Sequence, residues 1–360
     1  IKRGIFMEIK IERAKTLKTK PDQNHLGFGQ YFTDHMFIMD WDKDVGWHDA
    51  RIVPYGPIAM DPATMVLHYA QETFEGLKAY RAKDGRILLF RPEMNARRFA
   101  NSNIRMSMPT LDEDLFIEFV EAIVKKEQDW IPTNEGESLY IRPFMFATEP
   151  AVGVHPSNSY KFMIILSPVG AYYEEGVNPV KIYVEDEFVR ATLGGTGFAK
   201  CGGNYAGSLA AQVKAEKLGY SQVLWLDGVH RKYVEEVGSM NVMFKIEGKI
   251  VTAPCEGTVL PGVTRDSIIT LLKSWGYEIV ERHLSIDELM EAGHSGKLEE
   301  AWGTGTAAVI SPIGELYYKG DVVTVHDFMT GELTQKLYDT LTGIQWGNIE
   351  DSFGWTRSIE

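Results

Sequence analysis

Cysteine is scarce in this chain, which has only Cys201 and Cys255 among its 360 residues. Two cysteines are too few for a disulfide framework, and they lack the paired spacing of a zinc site. A reducing compartment is the simplest environment for such a chain, so we expect the cytoplasm. The histidines form no HExxH pattern and no cluster with cysteine, so no metal site is expected.

Long apolar runs and a surplus of basic residues are also missing. The richest apolar segments, 160–173 and 221–228, fall short of the about 20 residues that cross a bilayer. The first residues lack the sustained apolar region of a signal peptide. With 37 Lys plus Arg against 50 Asp plus Glu, the formal net charge is −13, whereas binding to nucleic-acid phosphates needs the opposite balance. We expect neither a membrane segment nor a nucleic-acid partner.

The rest of the composition, 44% hydrophobic and 24% charged, is that of a globular protein, and this length favours two domains. Strand-like and amphipathic helical segments are mixed in both halves. A segment rich in Gly, Glu and Tyr interrupts the pattern at 170–179 and is the candidate linker. We predict an α/β (α+β mixed) protein with a small N-terminal domain at 1–169, a larger C-terminal domain at 180–360 and a site in the cleft between them.

Periodicity predicts the individual elements. Apolar residues at helical spacing predict a helix over 111–130, whose inner face would contain Phe116, Phe119, Val120, Ile123 and Val124. Further helices are predicted over 61–74 and over 327–345, the latter closing the chain. A strand is predicted over 138–148.

The most unusual segment is 193–207, in which six glycines surround Lys200. It is not a phosphate-binding P-loop, because Ala199 precedes the lysine and Cys201 replaces the required Ser or Thr. A desolvated lysine in such a setting suits Schiff-base chemistry, because desolvation favours the neutral, nucleophilic amine. From composition alone, a solvated lysine on a flexible surface loop is the favoured interpretation, and both interpretations stay open here.

Two further segments have small residues with backbone N–H groups that can hold an anion. GTGTAA at 303–308 fits the dinucleotide fingerprint formally, but the strand-like VISPIGELYY follows it where a helix is required. PGVT at 261–264 leads into a predicted helix, whose N-terminus favours an anion.

Two pairs of polar residues lie on predicted strands. Tyr140 and Arg142 are two apart and share one face; the arginine is either a fork for a carboxylate or a surface charge on an edge strand. Glu235 and Glu236 point to opposite sides, so at most one is expected to face the interior.

Seven short motifs, in this order, resemble the branched-chain amino-acid aminotransferases, which are fold-type IV pyridoxal-phosphate enzymes. The motifs are FEGLKAY, LFRPEMNARR, YIRP, GGTGFAKCGGNY, EEVGSMN, LPGVTRDS and GTGTAA, and the resemblance runs from about Phe28 to the C-terminal helix. It implies a two-domain fold, pyridoxal 5′-phosphate as cofactor, and at least a homodimer. It also implies ping-pong transfer of the amino group of L-leucine, L-isoleucine or L-valine to 2-oxoglutarate, giving the branched 2-oxo acid and L-glutamate.

The resemblance implies a role for each matching cofactor residue. Lys200 would form the Schiff base with the cofactor and move the proton, Glu236 would pair with the pyridine nitrogen, and Arg91 would bind the phosphate. The other cofactor contacts would come from Arg190 and Tyr205 beside the ring, Val263 and Thr264 at the start of their helix, and the Thr306 hydroxyl.

Substrate-binding roles follow from the same resemblance. Ala307 and Ala308 would offer backbone N–H groups to the substrate α-carboxylate, and Arg142 would bind the side-chain carboxylate of glutamate. An apolar wall with phenolic tips would be formed by Phe28, Tyr69, Phe74, Tyr140 and Tyr172.

Alternatives remain within and outside the enzyme class. D-amino-acid aminotransferase and aminodeoxychorismate lyase have the same fold with a similar lysine and glutamate, but they are generally shorter, and YIRP with GTGTAA fits the branched-chain enzymes better. Activity with L-leucine but not with D-alanine separates these enzymes. A non-catalytic binding protein with this fold has no need for Lys200.

Overall fold

The computed structural model describes residues 7–170 and 177–359, and these divide into two compact units. The first unit is formed by residues 7–170 together with two later segments, 199–202 and 344–359. The remaining described residues form the second unit.

The sequence-based boundaries, 1–169, 170–179 and 180–360, stay a prediction. Most of the predicted linker, residues 171–176, lies outside the described residues. These boundaries place the segment around Lys200 and the C-terminal segment in the later domain, whereas residues 199–202 and 344–359 cluster with the first unit.

The first unit is built on a nearly antiparallel sheet. Its elements are β1 (Lys10–Ile11), β2 (His35–Asp42), β3 (Gly46–Pro54), α1 (Val66–Tyr69), β4 (Glu72–Phe74), β5 (Leu77–Arg81), β6 (Ile87–Phe90), α2 (Pro92–Arg105), α3 (Glu113–Lys126), β7 (Ser138–Ala147), β8 (Ser159–Val169) and β18 (Thr356–Ile359), with 3-10 turns at Gln23–His25 and Gln128–Trp130. Across the described residues the strand order is β1-β3-β2-β8-β7-β5-β6-β18, with β4 also paired to β7.

Helix α3 illustrates why this unit packs as it does. The Asp112 carboxylate caps the helix by accepting the N–H groups of Asp114 and Leu115, at 2.9 and 3.3 Å. Every apolar position predicted for its inner face is buried: Phe116, Phe119, Val120, Ile123 and Val124. Each such side chain contributes about 1.5–3 kcal/mol through removal from water. The predicted helix is confirmed.

The second unit has its own mixed sheet. Its elements are β9 (Val180–Glu185), α4 (Gly202–Ala206), α5 (Leu209–Lys217), β10 (Gln222–Leu226), β11 (Val234–Val237), β12 (Met240–Ile246), β13 (Lys249–Thr252), α6 (Val263–Ser274), β14 (Ile279–Glu281), α7 (Ile286–His294), β15 (Leu298–Gly305), β16 (Val309–Tyr318), β17 (Asp321–Thr324) and α8 (Glu332–Gln345), with a 3-10 turn at His326–Phe328. The strand order is β11-β10-β9-β16-β15-β12-β13-β14, with β17 paired to β16.

In the second unit, β9 runs parallel to β10 and to β16, whereas β12 is antiparallel to β11, β13 and β15. The predicted mixed α/β class is confirmed. No helix in 7–170 or 177–359 is both long and apolar enough to cross a membrane.

The helix predicted over 61–74 is wrong for most of its length. Helix α1 ends when Ala70 takes a left-handed conformation, with φ of 52°. Residues 72–74 instead form β4, which pairs with Phe144–Phe146 of β7. Sheet pairing with a distant strand overrides the local helical pattern here.

The helix predicted over 327–345 begins five residues later than expected, at Glu332. Its first turn is capped by Glu300 of β15, whose carboxylate accepts the N–H groups of Leu333 and Thr334 at 3.2 and 2.8 Å. A Cβ at Gly331 would lie 2.1 Å from that carboxyl group, so a glycine must precede the helix. The helix does not close the chain, because β18 follows it and pairs with β6.

Lys78 of β5 is 8% exposed, and burial lowers its pKa to about 8. In the unfolded chain the pKa of this lysine is about 10.4. Below about pH 8 the lysine is charged in both states, so burying the charge lowers the free energy of unfolding. This cost disappears as the pH rises from about 8 to about 10.4, because the folded protein has then lost the proton that the unfolded chain still holds. Over this pH range we expect the free energy of unfolding of the wild type to rise by up to about 3 kcal/mol relative to that of Lys78→Met. Urea unfolding between pH 7 and 10.5 measures the difference, with exposed Lys83→Met as control. A difference that is constant with pH contradicts the prediction.

Candidate active site

Backbone hydrogen bonds attach the segment that contains Lys200 to the first unit. The Lys200 N–H donates to the Ser102 hydroxyl at 2.9 Å, and the Lys200 carbonyl accepts from the Phe74 N–H at 3.0 Å. Two residues later, the Gly202 N–H donates to the Glu72 carboxylate. These hydrogen bonds hold the backbone at the lysine, which does not fit a flexible surface loop.

Side chains next to Lys200 also pack inward. Cys201 is 2% exposed and belongs to the buried apolar residues. The Lys200 Nζ lies 4.9 Å from the centre of the Phe74 ring, close enough for a cation–π contact.

A buried carboxylate, Glu75, accompanies the lysine. It accepts hydrogen bonds from Arg98 Nε at 2.7 Å, Arg98 Nη2 at 2.8 Å and Asn95 Nδ2 at 2.8 Å. Burial alone would raise the pKa of Glu75, but Arg98 and, more weakly, the charge of Lys200 hold it below its ordinary value. Glu75 therefore keeps a fixed negative charge near the lysine.

Tyr140 and Arg142 lie together, as their spacing on one strand face predicts. Arg142 Nη2 donates to the Tyr140 hydroxyl at 3.1 Å, and the Arg142 guanidinium carbon lies 4.8 Å from the Phe74 ring centre. The Phe28 ring packs edge-on against Tyr140 at 5.0 Å. Their strand, β7, has β5 and β8 on its two sides, so the edge-strand interpretation of Arg142 is wrong. The structure thus groups Lys200 with Phe74, Arg142, Tyr140 and Phe28.

Gly76 leaves room for this group. A Cβ at position 76 would lie 2.0 Å from the Tyr140 hydroxyl oxygen. We expect Gly76→Ala to displace the phenol and to lower kcat/KM about 100-fold for the L-leucine reaction that the resemblance implies, because small misplacements at a site are costly. Steady-state kinetics measure the loss. Gly56→Ala, where nothing lies within 4 Å of the new Cβ, is the matched control. Full activity in the Gly76 variant would show that the Tyr140 position is unimportant.

Two predicted wall residues are not placed in this group. Tyr69 is 39% exposed at the end of α1, and its hydroxyl donates to the Val152 carbonyl at 2.5 Å. Within the described ranges its ring contact is to His68. Tyr172 lies outside the described residues.

Arg91 stands at the junction of β6 and α2. It takes a left-handed conformation with φ and ψ of 47°, which costs an ordinary residue roughly 1–2 kcal/mol. Its N–H donates to the Trp355 carbonyl at 2.8 Å, and its guanidinium carbon lies 5.2 Å from the Trp355 ring centre. Pro92 then opens the helix without needing a donor partner.

In the second unit, Glu236 of β11 is held from several directions and is 3% exposed. One carboxylate oxygen accepts from Asn241 Nδ2 and from the Leu260 N–H, both at 3.0 Å. The other lies 2.8 Å from Arg190 Nε in a buried ion pair. Such a carboxylate is fixed in position and stabilised in its charged form.

Glu235 is buried as well, at 8% exposed, so the prediction that at most one of this pair faces the interior is wrong. All four residues of strand β11 are buried. Burial raises the pKa of Glu235, while a hydrogen bond from Thr258 and the charge of Arg190 partly oppose the shift.

Arg190 precedes the glycine-rich segment at 193–207, and Tyr205 lies within it. Arg190 Nη2 donates to the carbonyls of Gly197, at 3.2 Å, and Thr258. Tyr205 is half-buried in α4, and its carbonyl accepts from the Ser208 hydroxyl at 2.7 Å.

The start of α6 is a candidate anion site. Its N-cap, Gly262, offers no side-chain hydrogen bond, and both Val263 and Thr264 in the first turn are 5% exposed. A Cβ at Gly262 would lie 2.1 Å from Asn241 Oδ1, so the helix start lies against the same asparagine that bonds Glu236. N–H groups at such a helix end favour a phosphate dianion.

The remaining predicted residues occupy the turn between β15 and β16. Thr306 and Ala307 are half-buried there, and Ala308 is 6% exposed. The strand before this turn pairs Thr304 with Asn241, which in turn pairs with Glu236. The structure thus groups the β15–β16 strands, Glu236 and the α6 start around Asn241.

Within each unit, the donor types suit one part of a phosphorylated pyridine aldehyde. The second unit offers a buried carboxylate for a pyridinium nitrogen and a helix N-terminus without a side-chain cap for a phosphate. The first unit offers a lysine amine and an arginine with a fixed backbone.

Comparison with known proteins agrees with this chemistry. The sequence model of the family described as amino-transferase class IV matches residues 72–316. The chain is 57% identical over 351 residues to branched-chain-amino-acid aminotransferase 2 of Bacillus subtilis, covering 98% of this chain and 97% of that protein. It is 58% identical over 348 residues to a probable branched-chain-amino-acid aminotransferase of Staphylococcus aureus, and the match covers 96% of this chain and 97% of that protein.

Solved structures give the same result. The branched-chain amino acid aminotransferase of Escherichia coli matches with a TM-score of 0.75 and 27% identity, covering 89% of this chain and 99% of that one. The branched-chain amino acid aminotransferase of T.th., solved with pyridoxamine 5′-phosphate, matches with a TM-score of 0.75 and 26% identity, covering 89% and 98%.

The chain therefore belongs to the class IV aminotransferases. The resemblance to the branched-chain amino-acid aminotransferases, predicted from seven motifs, is confirmed, as are the fold-type IV architecture and pyridoxal 5′-phosphate as cofactor. The roles of individual residues stay predictions.

The sequence analysis did not identify several residues that contact the predicted site residues. Glu75 and Asn241 lie inside quoted motifs, where an acid or an amide within a buried strand-like run is a signal that could have identified them. Ser102 and Trp355 left no comparable signal, because their partners are far away in the chain.

Proposed function

We propose that this chain catalyses the reversible transfer of the amino group of L-leucine, L-isoleucine or L-valine to 2-oxoglutarate, by a ping-pong mechanism. The observation that supports this most directly is that Lys200 and Arg142 both lie beside the ring of Phe74. Lys200 Nζ and the Arg142 guanidinium lie 4.9 and 4.8 Å from the centre of Phe74. An apolar ring beside both the lysine and the arginine supports a site that takes either an aliphatic side chain or a carboxylate.

Pyridoxal 5′-phosphate, when bound, supplies an electron sink for the charge left at the substrate Cα. Lys200 would hold the cofactor through Nζ and, once displaced, carry the proton that leaves Cα. Glu236 would hold a proton on the pyridine nitrogen, because Arg190 and Asn241 fix its carboxylate in place. Arg190 and Tyr205 would flank the ring.

Phosphate binding is assigned to Arg91 and the first turn of α6. Val263 and Thr264 would contribute backbone N–H groups and a hydroxyl, and Thr306 would add another hydroxyl. These groups orient the cofactor without taking part in proton transfer.

Substrate binding is assigned to two sets of groups. Ala307 and Ala308 would bind the α-carboxylate through backbone N–H groups, with the Tyr140 hydroxyl beside them. Arg142 would bind the second carboxylate of glutamate or 2-oxoglutarate. The apolar wall is proposed for Phe28 and Phe74, with Tyr69 and Tyr172 as further members.

A cytoplasmic homodimer, or a larger homo-oligomer, is proposed as the working form. The resemblance supports the assembly, and the presence of two free cysteines supports a reducing compartment. Sedimentation equilibrium tests the assembly, and a monomer at all concentrations would contradict it.

The visible absorption spectrum tests the function. Protein loaded with pyridoxal 5′-phosphate should absorb in the visible range, lose that band when L-leucine is added alone, and regain it with 2-oxoglutarate. D-alanine is the matched control and should leave the band unchanged. A band that responds to D-alanine but not to L-leucine overturns the substrate assignment, and absence of any band overturns the enzyme assignment.

A further inference from the structure

The C-terminal segment returns to the first unit beside Arg91. Strand β18 pairs antiparallel with β6, and Thr356 lies opposite Phe90. Trp355 therefore lies beside the point where β6 ends and Arg91 follows.

Two contacts join Trp355 to Arg91, one to the backbone and one to the side chain. The Trp355 carbonyl accepts the Arg91 N–H at 2.8 Å. The Trp355 ring centre lies 5.2 Å from the Arg91 guanidinium carbon, within cation–π range. The Phe90 ring packs edge-on against the same indole at 5.7 Å.

Trp355 is itself firmly held. It is 8% exposed, and Phe353 stacks on it with ring centres 4.3 Å apart. The Asp351 carboxylate accepts the N–H groups of Phe353 and Thr356, at 3.2 and 2.6 Å, and the Thr356 hydroxyl at 2.9 Å. The indole is thus a fixed surface and not a loose terminal side chain.

Arg91 needs such a surface. Its left-handed backbone is uncommon for a residue with a side chain and persists only where neighbouring groups impose it. Its long side chain would otherwise lose much rotamer freedom on binding a ligand. A contact that restricts the guanidinium beforehand lowers that cost.

We propose that Trp355 is a positioning residue that fixes the backbone and guanidinium of Arg91 for the cofactor phosphate. This inference rests on the proposed role of Arg91. Trp355 touches the arginine and acts only through it, so its removal weakens recognition of the phosphate and not of the pyridine ring.

The test compares two ligands that differ only in the phosphate. Protein stripped of cofactor is titrated with pyridoxal 5′-phosphate and, separately, with pyridoxal, and the bound ligand is followed by absorbance. For Trp355→Leu we expect the Kd of pyridoxal 5′-phosphate to rise about tenfold and that of pyridoxal to change less than about twofold. Trp355→Phe keeps an aromatic ring, so its Kd for pyridoxal 5′-phosphate should lie between those of wild type and Trp355→Leu. This variant replaces Trp355→Leu in the test if the leucine variant does not fold.

Trp346→Leu is the matched control. Trp346 is also 8% exposed and lies in the same segment, but it packs on Tyr80, with ring centres 5.9 Å apart. Its variant should bind both ligands like wild type.

Unchanged affinity for pyridoxal 5′-phosphate in both Trp355 variants overturns the proposal, as does an equal loss for the two ligands. Arg91→Met tests separately whether Arg91 binds the cofactor phosphate, which is the role on which this proposal rests. If it leaves the preference for the phosphorylated ligand intact, the assignment of Arg91 fails, and with it the role given to Trp355.

Discussion

Lys200→Ala should lower kcat for amino transfer from L-leucine to 2-oxoglutarate by about 10⁴-fold or more, because it removes both the covalent attachment of the cofactor and the proton carrier. Glu75, a charged group nearby, cannot replace the amine, because it is a carboxylate already engaged with Arg98 and Asn95. A coupled assay for glutamate formation measures the loss, and the visible band of the loaded protein should shift at the same time.

Two controls make this result specific. Lys217→Ala removes an exposed lysine of α5 and should leave kcat unchanged. Added methylamine should restore part of the activity of the Lys200 variant, since a small amine can carry the proton. Turnover within about tenfold of wild type would eliminate Lys200 as the catalytic amine.

Replacing Arg142 with methionine should separate the two substrates. The variant keeps the apolar stem beside Phe74 but loses the charge that would pair with the second carboxylate of 2-oxoglutarate. We expect its KM for 2-oxoglutarate to rise about 100-fold, equivalent to about 3 kcal/mol of charge-assisted hydrogen bonding. The half-reaction with L-leucine should stay within about threefold of wild type, because that substrate places no charge there. Stopped-flow measurement of each half-reaction tests the split.

Arg86→Met is the control for Arg142. Arg86 is an exposed arginine paired with Asp84 in a surface turn, so its loss should affect neither substrate. If Arg142→Met slows both half-reactions equally, the arginine supports the site generally and does not recognise the second carboxylate.

Local periodicity was sufficient for some elements and some site residues. The apolar spacing of α3 and the alternation of β7 depend only on neighbours in sequence, so the helix and the pairing of Tyr140 with Arg142 could be predicted. By contrast, β4 forms because Glu72 to Phe74 pair with a strand about 70 residues away, and no local pattern contains that information.

The site shows the same limit. The motif around Lys200 pointed to the lysine, but its backbone partner, Ser102, lies 98 residues earlier. Strand alternation predicts that at most one of Glu235 and Glu236 faces the interior. Both are buried, as are all four residues of β11, which alternation alone cannot predict.

The return of residues 199–202 and 344–359 to the first unit affects how the molecule is made on the ribosome. Translation completes residues 7–170 long before the lysine segment and β18 exist, so β6 emerges as an unpaired strand edge. In the nascent N-terminal half, that edge stays open to other chains until the whole second unit and then β18 have been synthesised. The N-terminal half is therefore a poor candidate for expression as an independent fragment, even though it contains its own apolar core.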